Sequence, residues 1–558
     1  MTVDEEQAPS NGRVCRKNVE VEIQVISEDK QKREDQADRI VTDPIIYHYL
    51  TFESVLPQPP ASSAREVELS PLPAPPDLTG YVSPFTWPEA RKRTIILLSC
   101  ICSTVVCYAA GSYDAGLEPI MAQWGVSHTV ATLGITTFTI GFGIAPMILA
   151  PFSELNGRKP VFIVTGVIFC IAQLSCALTT SFSGLLVARL FVGVGGSTFS
   201  STIGGVISDI YYKKNRNAPM ALFSGSALFG TGLGPLVSGF VAQRVGWRWV
   251  FWVQVITCGL SISAVIAFFN ETRGSVILSR KARLLNKWYE AREQSGLVGD
   301  FQMPLNEHGS EYGSQRIRWK VKSDEERETL AKMLGISLYR PFHLLCTEPV
   351  VFFFSLWAAF SWAVLYLTFS IVPLVFTTNH GFNLEQNGAV FAAMCVGSLL
   401  STVISLFQER IAGHYGKMSS TPEGRLYFSC VQCALLPIGL FWFAWTLAPS
   451  VHWVVPTLAI GCATMGLFSI YLAVFNYLAD TYHRYASSAL AAQSFCRNML
   501  AGTFPLLGGP MFARLTFQGA SSFLGGVSLL LTIVPWVLVF YGPKIRARSK
   551  FASENMHQ

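Results

Sequence analysis

Of the 558 residues half are hydrophobic, 13% aromatic and only 14% charged, whereas soluble globular chains carry about 25% charged residues. A water-soluble fold is therefore excluded for want of polar surface. The formal charge of +6 sits in loops and tails beside apolar runs, which is a membrane-topology signal and not a nucleic-acid-binding surface.

In chain order, residues 1–93 come first as a polar tail. Mixed charge clusters (SEDKQKREDQADR) lead into a Pro-rich stretch (LPQPPASSAREVELSPLPAPPDL). This composition predicts a disordered, extended cytoplasmic tail, with no cleavable signal peptide. Twelve apolar runs follow, near 94–116, 129–152, 160–179, 183–207, 219–242, 248–269, 349–373, 386–407, 425–446, 452–476, 486–509 and 520–541. Each is long enough to cross a ~30 Å hydrocarbon core as a helix, and a helix satisfies its own backbone where lipid cannot. The fold class is all-α and polytopic: a six-helix bundle over 94–270, a cytoplasmic linker over 271–346, a second six-helix bundle over 347–541, and a cytoplasmic tail over 542–558. Two such halves predict a central path between them. The linker segments RKARLLNKWYEAREQ and KVKSDEERETLAKML carry charged pairs at helical spacing, as amphipathic helices do.

Lys and Arg beside the spans crowd onto one side, in both tails and in the loops after spans 2, 4, 8 and 10. The opposite loops hold only Arg244, Arg248 and Arg514. The positive-inside rule then puts both termini in the cytoplasm. Most of the thirteen cysteines lie inside apolar runs, where a free thiol acts as a small hydrophobe. The Cys430–Cys433 pair has no second pair to complete a metal site. Neither metal nor cofactor is expected.

Three stretches carry the functional reading. SELNGRKP, Ser153 to Pro160, fills the turn between spans 2 and 3. Gly157 permits the reversal, Pro160 suits the first turn of the next helix, and Glu154 and Arg158 are close enough to pair as a latch, beside Lys159. VARLFVGVGGST buries Arg189 in span 4. An intramembrane Arg costs at least ~2.5–3.5 kcal/mol on insertion scales, so it faces a cavity or a partner. GSALFGTGLGPLVSGF fills span 5 with Gly230, Gly234, Pro235 and Gly239 among others, which permits close helix approach and a bend. WRWVFW, Trp247 to Trp252, reads as an interfacial anchor.

The loop stretch resembles the signature G-x-x-x-D-R-x-G-R-R/K of the major facilitator superfamily, with Ala150, Glu154 and Leu155 at its first Gly, its Asp and its first Arg. Those departures resemble the S-E-x-x-G-R-K/R-P of fungal twelve-span drug:proton antiporters. Span 5 resembles the antiporter-branch motif G-x-x-x-G-P-x-x-G-G, with Ser238 at the penultimate Gly; sugar-uptake members lack that motif. The resemblance covers about residues 85 to 545. It implies a monomeric plasma-membrane transporter that exports drug-like or secondary-metabolite molecules against protons by alternating access, and a proton-handling role for Arg189. Uptake by proton symport and polyamine export stand as alternatives, as does a sensor that binds without moving its ligand. A membrane enzyme would want a His or a Ser/His/Asp set inside a span, and all nine histidines fall in loops, tails or span edges.

No Asp, Glu or His occupies the middle of a span. The acids that could titrate during proton coupling are Asp114 and Glu118 at the end of span 1, Glu154, and Asp209 and Asp480 at the ends of spans 4 and 10. Tyr108, Tyr113, Phe138, Trp362, Tyr366, Phe369, Tyr471, Phe475, Asn476 and Gln493 are candidates for the cavity wall. Arg497 in span 11 either pairs with an acid or faces that cavity. An aromatic, weakly charged wall favours hydrophobic or weakly cationic organic substrates.

Overall fold

The computed structural model describes residues 45–57, 73–295, 302–304, 312–314, 316–325, 330–415, 423–482, 485–549 and 551. Among them, eleven helical stretches are long and apolar enough to cross a membrane. The last, Ala486–Arg548, contains two spans, because Thr516 (φ 62, ψ 166) breaks the helix. The twelve expected spans are therefore present. Their ends are set by local chemistry: the Ser181 hydroxyl accepts from Gly184 N–H at 3.1 Å at the start of span 4. Asn383 and Gln386 form a reciprocal capping box before span 8, satisfying helix donors that have no intrahelical partner.

Several spans are interrupted. Span 1 runs Glu89–Gly111, turns through Asp114–Gly116 and resumes as Leu117–Trp124. Span 4 breaks at Thr202 between Phe182–Ser201 and Ile203–Ile210. In the first half, span 1 packs on span 5, span 2 on span 4, and span 3 on spans 4 and 6. In the second half, span 7 lies along the helix of spans 11 and 12, and span 10 packs on spans 8 and 9. The halves meet where span 5 touches spans 8 and 10 and where span 2 touches the Ala486–Leu531 helix.

A membrane unit comprises Pro84–Arg273 and Glu328–Gln558, and a second unit comprises Met1–Ser83 with Gly274–Arg327. Residues 1–44 and 58–72, in the stretch expected to be disordered, lie outside the described residues, as do Lys417, Arg484 and Lys550. Residues 45–57 depart from that expectation. Strand β1 (Ile46–Tyr49) joins β4 (Ile317–Lys320) in parallel, while β2 (Gln302–Pro304) pairs antiparallel with β3 (Tyr312–Ser314). The predicted amphipathic helix appears as Gly274–Gln294, and it buries Ala282, Leu285 and Tyr289 against Leu50, Ile317, Trp319 and Val321. Asn286 pairs with both backbone polar groups of Trp319, at 2.9 and 2.8 Å, in place of a further strand. Composition misses this because neither strand buries enough apolar surface until its distant partner arrives.

Arg318 grips Glu293 through two N–H groups at 2.9 and 2.7 Å, and Arg316 adds a third at 3.2 Å. Partial burial works against the Glu293 charge, but these donors outweigh it and hold its carboxyl below the ordinary range. The unfolded chain therefore binds this proton first, so the stabilisation is present above pH ~4.3–4.5 and fades as pH falls through the depressed value. Amide exchange across 274–294 and 316–320, corrected for its intrinsic pH dependence, should accelerate below pH ~4.5 in the wild type. Glu293→Gln should be already fast at pH 7 and show no such step.

Candidate functional site

The turn between spans 2 and 3 is a hub of charges. Gly157 sits at φ 101, where a side chain is strained, and a Cβ there would collide with the Glu271 carboxylate. That carboxylate caps span 3, accepting from Arg158 N–H at 2.9 Å and Lys159 N–H at 3.3 Å. The Arg158 side chain is 3% exposed. Its Nε donates to Asp209 at 3.2 Å and its Nη1 to the Ser153 hydroxyl at 2.6 Å, while Glu154 stands at 3.7 Å. The expected Glu154–Arg158 pair is present, yet Asp209 is the nearer carboxylate. Arg273 closes the hub on the other Asp209 oxygen at 3.1 Å. Burial opposes its charge, but Asp209, Glu154 and Glu271 outweigh that and keep its pKa above the ordinary value. Lys159 Nζ donates to the Ile266 carbonyl at 3.1 Å near the end of span 6. Spans 3, 4 and 6 are thus tied at one end by ion pairs largely shielded from water, which screening weakens little.

Span 5 presents small residues to both neighbours. Gly230 and Gly234 lie directly on the backbone of span 1, at Thr104 and Tyr108, and Gly239 lies on Leu384 and Gly388 of span 8. Pro235 faces Gly111, where the first segment of span 1 ends. This helix is therefore the seam between the two halves.

Two guanidinium groups lie deep in the membrane unit. Arg189 has no exposed surface. It donates to the carbonyls of Gly134 (3.1 Å) and Ala109 (3.3 Å), and its Cζ lies over the rings of Tyr113 and Phe138, 4.7 and 4.8 Å from their centroids. Tyr113 is held in turn by its hydroxyl, which donates to the Ala131 carbonyl at 3.0 Å. Arg497 is 2% exposed and lies against the adjoining rings of Trp362 and Tyr471, at 4.6 and 5.1 Å from their centroids. Arg497 pairs with no acid among the described residues, and its Nε and Nη1 have no partner there. Tyr366 is buried within electrostatic reach of both arginines.

The remaining candidates divide between the two ends. At the latch end, Asn476 Nδ2 donates to Asn217 Oδ1 across the halves at 2.8 Å, and Lys213 approaches Asp480 at 3.8 Å. At the opposite end, half-buried Asp114 accepts from the Ser370 hydroxyl of span 7 at 3.3 Å, and Arg244 pairs with Glu385 of span 8. Glu118 is exposed beyond the span 1 break. Asp209 belongs to the latch and not to the core, and Asn476 to the seam. Sequence reasoning missed Glu271, Asn217, Ser370 and Glu385. Only Glu271 gave a signal, an acid directly after span 6 and close to a basic loop.

Residues 99–505 match the family described as Major Facilitator Superfamily. An efflux pump of Aspergillus terreus, atB, is 36% identical over 419 residues, covering 74% of this chain and 83% of its own. The efflux pump FUB11 of Gibberella moniliformis is 31% identical over 84% of this chain and 75% of its own. A cycloheximide resistance protein of Candida maltosa is 31% identical over 84% of each. Among solved structures, a proton:xylose symporter bound to 6-bromo-6-deoxy-D-glucose superposes with TM-score 0.57 at 13% identity, over 81% of this chain and 97% of that one; this likeness concerns the fold alone. The motif-bearing loop, the paired six-span bundles and the match over most of the chain together make this an integral, multi-pass membrane protein that belongs to the Major Facilitator Superfamily.

Proposed function

We propose that the protein is a secondary active exporter that moves drug-like or secondary-metabolite molecules out of the cell by alternating access, driven by proton entry. One observation carries the mechanism: a buried polar and aromatic centre lies between two separate sets of bridges joining the halves. Asn217–Asn476 and Lys213–Asp480 join them at the latch end, and Asp114–Ser370 and Arg244–Glu385 at the other. Opening one set while the other holds exposes the centre to one side at a time. The names of the fungal relatives support the export direction.

Arg189 keeps its proton at any physiological pH, so it orients groups and does not carry the coupling proton. Asp114 is the acid placed for that task. It sits at the break in span 1 and accepts a hydrogen bond from the opposite half, so its protonation alters a contact that closes the far end. The gradient is adequate: one pH unit supplies about 1.4 kcal/mol and 100 mV about 2.3 kcal/mol per charge moved. The latch end and both termini face the cytoplasm, the protein works as a monomer in the plasma membrane, and it catalyses no covalent chemistry.

The test is efflux of a panel of fluorescent amphiphiles from energised cells, with and without a protonophore. Export that the protonophore abolishes is expected, with Arg189→Ala reducing it to the level of cells lacking the protein. Accumulation in place of export would make the protein a symporter, and no movement of any compound would defeat the transport reading.

A further inference from the structure

The two buried arginines are unusual for what they lack. Neither forms an ion pair among the described residues, and no acid occupies the middle of any span. Removing a cation from water without a counter-charge is costly, and two cations facing one low-dielectric region repel each other. Aromatic rings lie against both groups, Tyr113 and Phe138 on Arg189 and Trp362 and Tyr471 on Arg497. Arg189 uses its Nε and Nη1 on the Gly134 and Ala109 carbonyls, and other N–H groups of the pair are left over. Arg189 Nη2, Arg497 Nε and Arg497 Nη1 are buried without any hydrogen-bond acceptor, and the Gln493 amide, nitrogen and oxygen both, and the Tyr471 hydroxyl are likewise unpartnered. Buried donors of this kind are nearly always satisfied in a folded protein, and these outnumber the two orphan acceptors, the Gln493 oxygen and the Tyr471 hydroxyl, so a further acceptor belongs here.

We infer that the substrates carry a carboxylate, which seats against the free N–H edge of Arg497, with Arg189 adding its charge from the first half. The inference rests on the transport reading above and narrows its substrate class. It replaces the weakly cationic substrates that the aromatic lining had suggested. A guanidinium edge offers two parallel N–H donors to a carboxylate, and Arg497 is held against the adjoining rings of Trp362 and Tyr471, whose centroids are 5.0 Å apart. The apolar body of the substrate packs on the rings of Phe223, Tyr471 and Phe475, whose centroids lie 4.8 to 6.5 Å apart. Because the anchoring groups come from spans 4 and 11, one in each half, the anion draws the halves together and is released when they part. Outward movement of an anion from an inside-negative cell also runs with the membrane potential.

The test uses the purified full chain and matched triads of ligands: naphthoate, naphthamide and naphthylmethylammonium, and the corresponding acid, amide and amine of phenylbutyrate. Calorimetric titration of the wild type should favour the acid over its amide and amine by about tenfold or more, the range expected for hydrogen bonds to a charged group. Arg497→Gln should bring that ratio close to one, and Arg497→Lys, which keeps the charge but loses the fork, should retain part of it. Because the readout is a ratio within one protein preparation, general loss of folded material does not mimic it. Equal binding of acid and amide, binding of none of the acids, or a ratio that survives Arg497→Gln would each overturn the inference. Flux in reconstituted vesicles separates it from the reading beneath. A carboxylate that binds but never moves defeats transport and leaves the anion site standing. Movement of amide, amine and acid alike defeats the anion site and leaves transport standing.

Discussion

Asp209→Ala should cost about 3–5 kcal/mol of stability, the range for removing one partner of a buried ion pair, and should abolish transport with it. Its side chain is 9% exposed and is the common partner of Arg158 and Arg273. Without it, Arg158, whose nearest other carboxylate is Glu154 at 3.7 Å, is left in a site with 3% exposure. Thermal unfolding of the purified protein reads the loss. Asp209→Asn keeps the shape and removes the charge, so it should fall nearly as far. An Asn variant that unfolds at the wild-type temperature would mean that Asp209 packs there without holding the latch by charge.

Gly230→Ala and Gly234→Ala should each destabilise by about 1–3 kcal/mol, as overpacking of a filled interior does, and should cut transport severely. A Cβ on Gly230 would stand 2.5 Å from the Thr104 carbonyl oxygen and 2.8 Å from its Cα, and one on Gly234 would stand 2.7 Å from the Tyr108 oxygen. Every one of these neighbours is backbone, so no side chain can swing aside and span 1 itself must move. Gly259→Ala is the control, because a Cβ there meets nothing within 4 Å; helix propensity alone then makes it neutral or slightly stabilising. If all three variants behaved alike, close approach of spans 1 and 5 would not be the reason for the glycines.

The spans were legible because hydropathy is a local property, and SELNGRKP because a sharp turn with charges has few uses between two membrane helices. Their ends were less so. The breaks after Gly111, at Thr202 and at Thr516 depend on neighbouring helices that decide whether a polar or Gly-rich stretch stays wound. Long-range pairs were invisible for the same reason. Glu271 caps a helix 113 residues earlier, and β1 waits for a strand some two hundred and seventy residues on. Asp209 was singled out for the right property, an acid at a helix end, and assigned to proton coupling. Only the arrival of Arg158 and Arg273 on its two oxygens shows it as an anchor. Arg497 left two readings open because its surroundings come from spans 7 and 10, and only the fold brings the rings of Trp362 and Tyr471 against it.

The most direct test of proton-driven exchange is to watch the proton. The purified chain is reconstituted into vesicles enclosing a pH dye, with a compound that expressing cells export placed on one side only and no imposed pH gradient. The account predicts that the compound running down its gradient drives protons the opposite way, and that Asp114→Asn still lets the compound equilibrate while the dye stays silent. Protons moving in the same direction as the compound, or a wild-type flux with no proton movement at all, would contradict it.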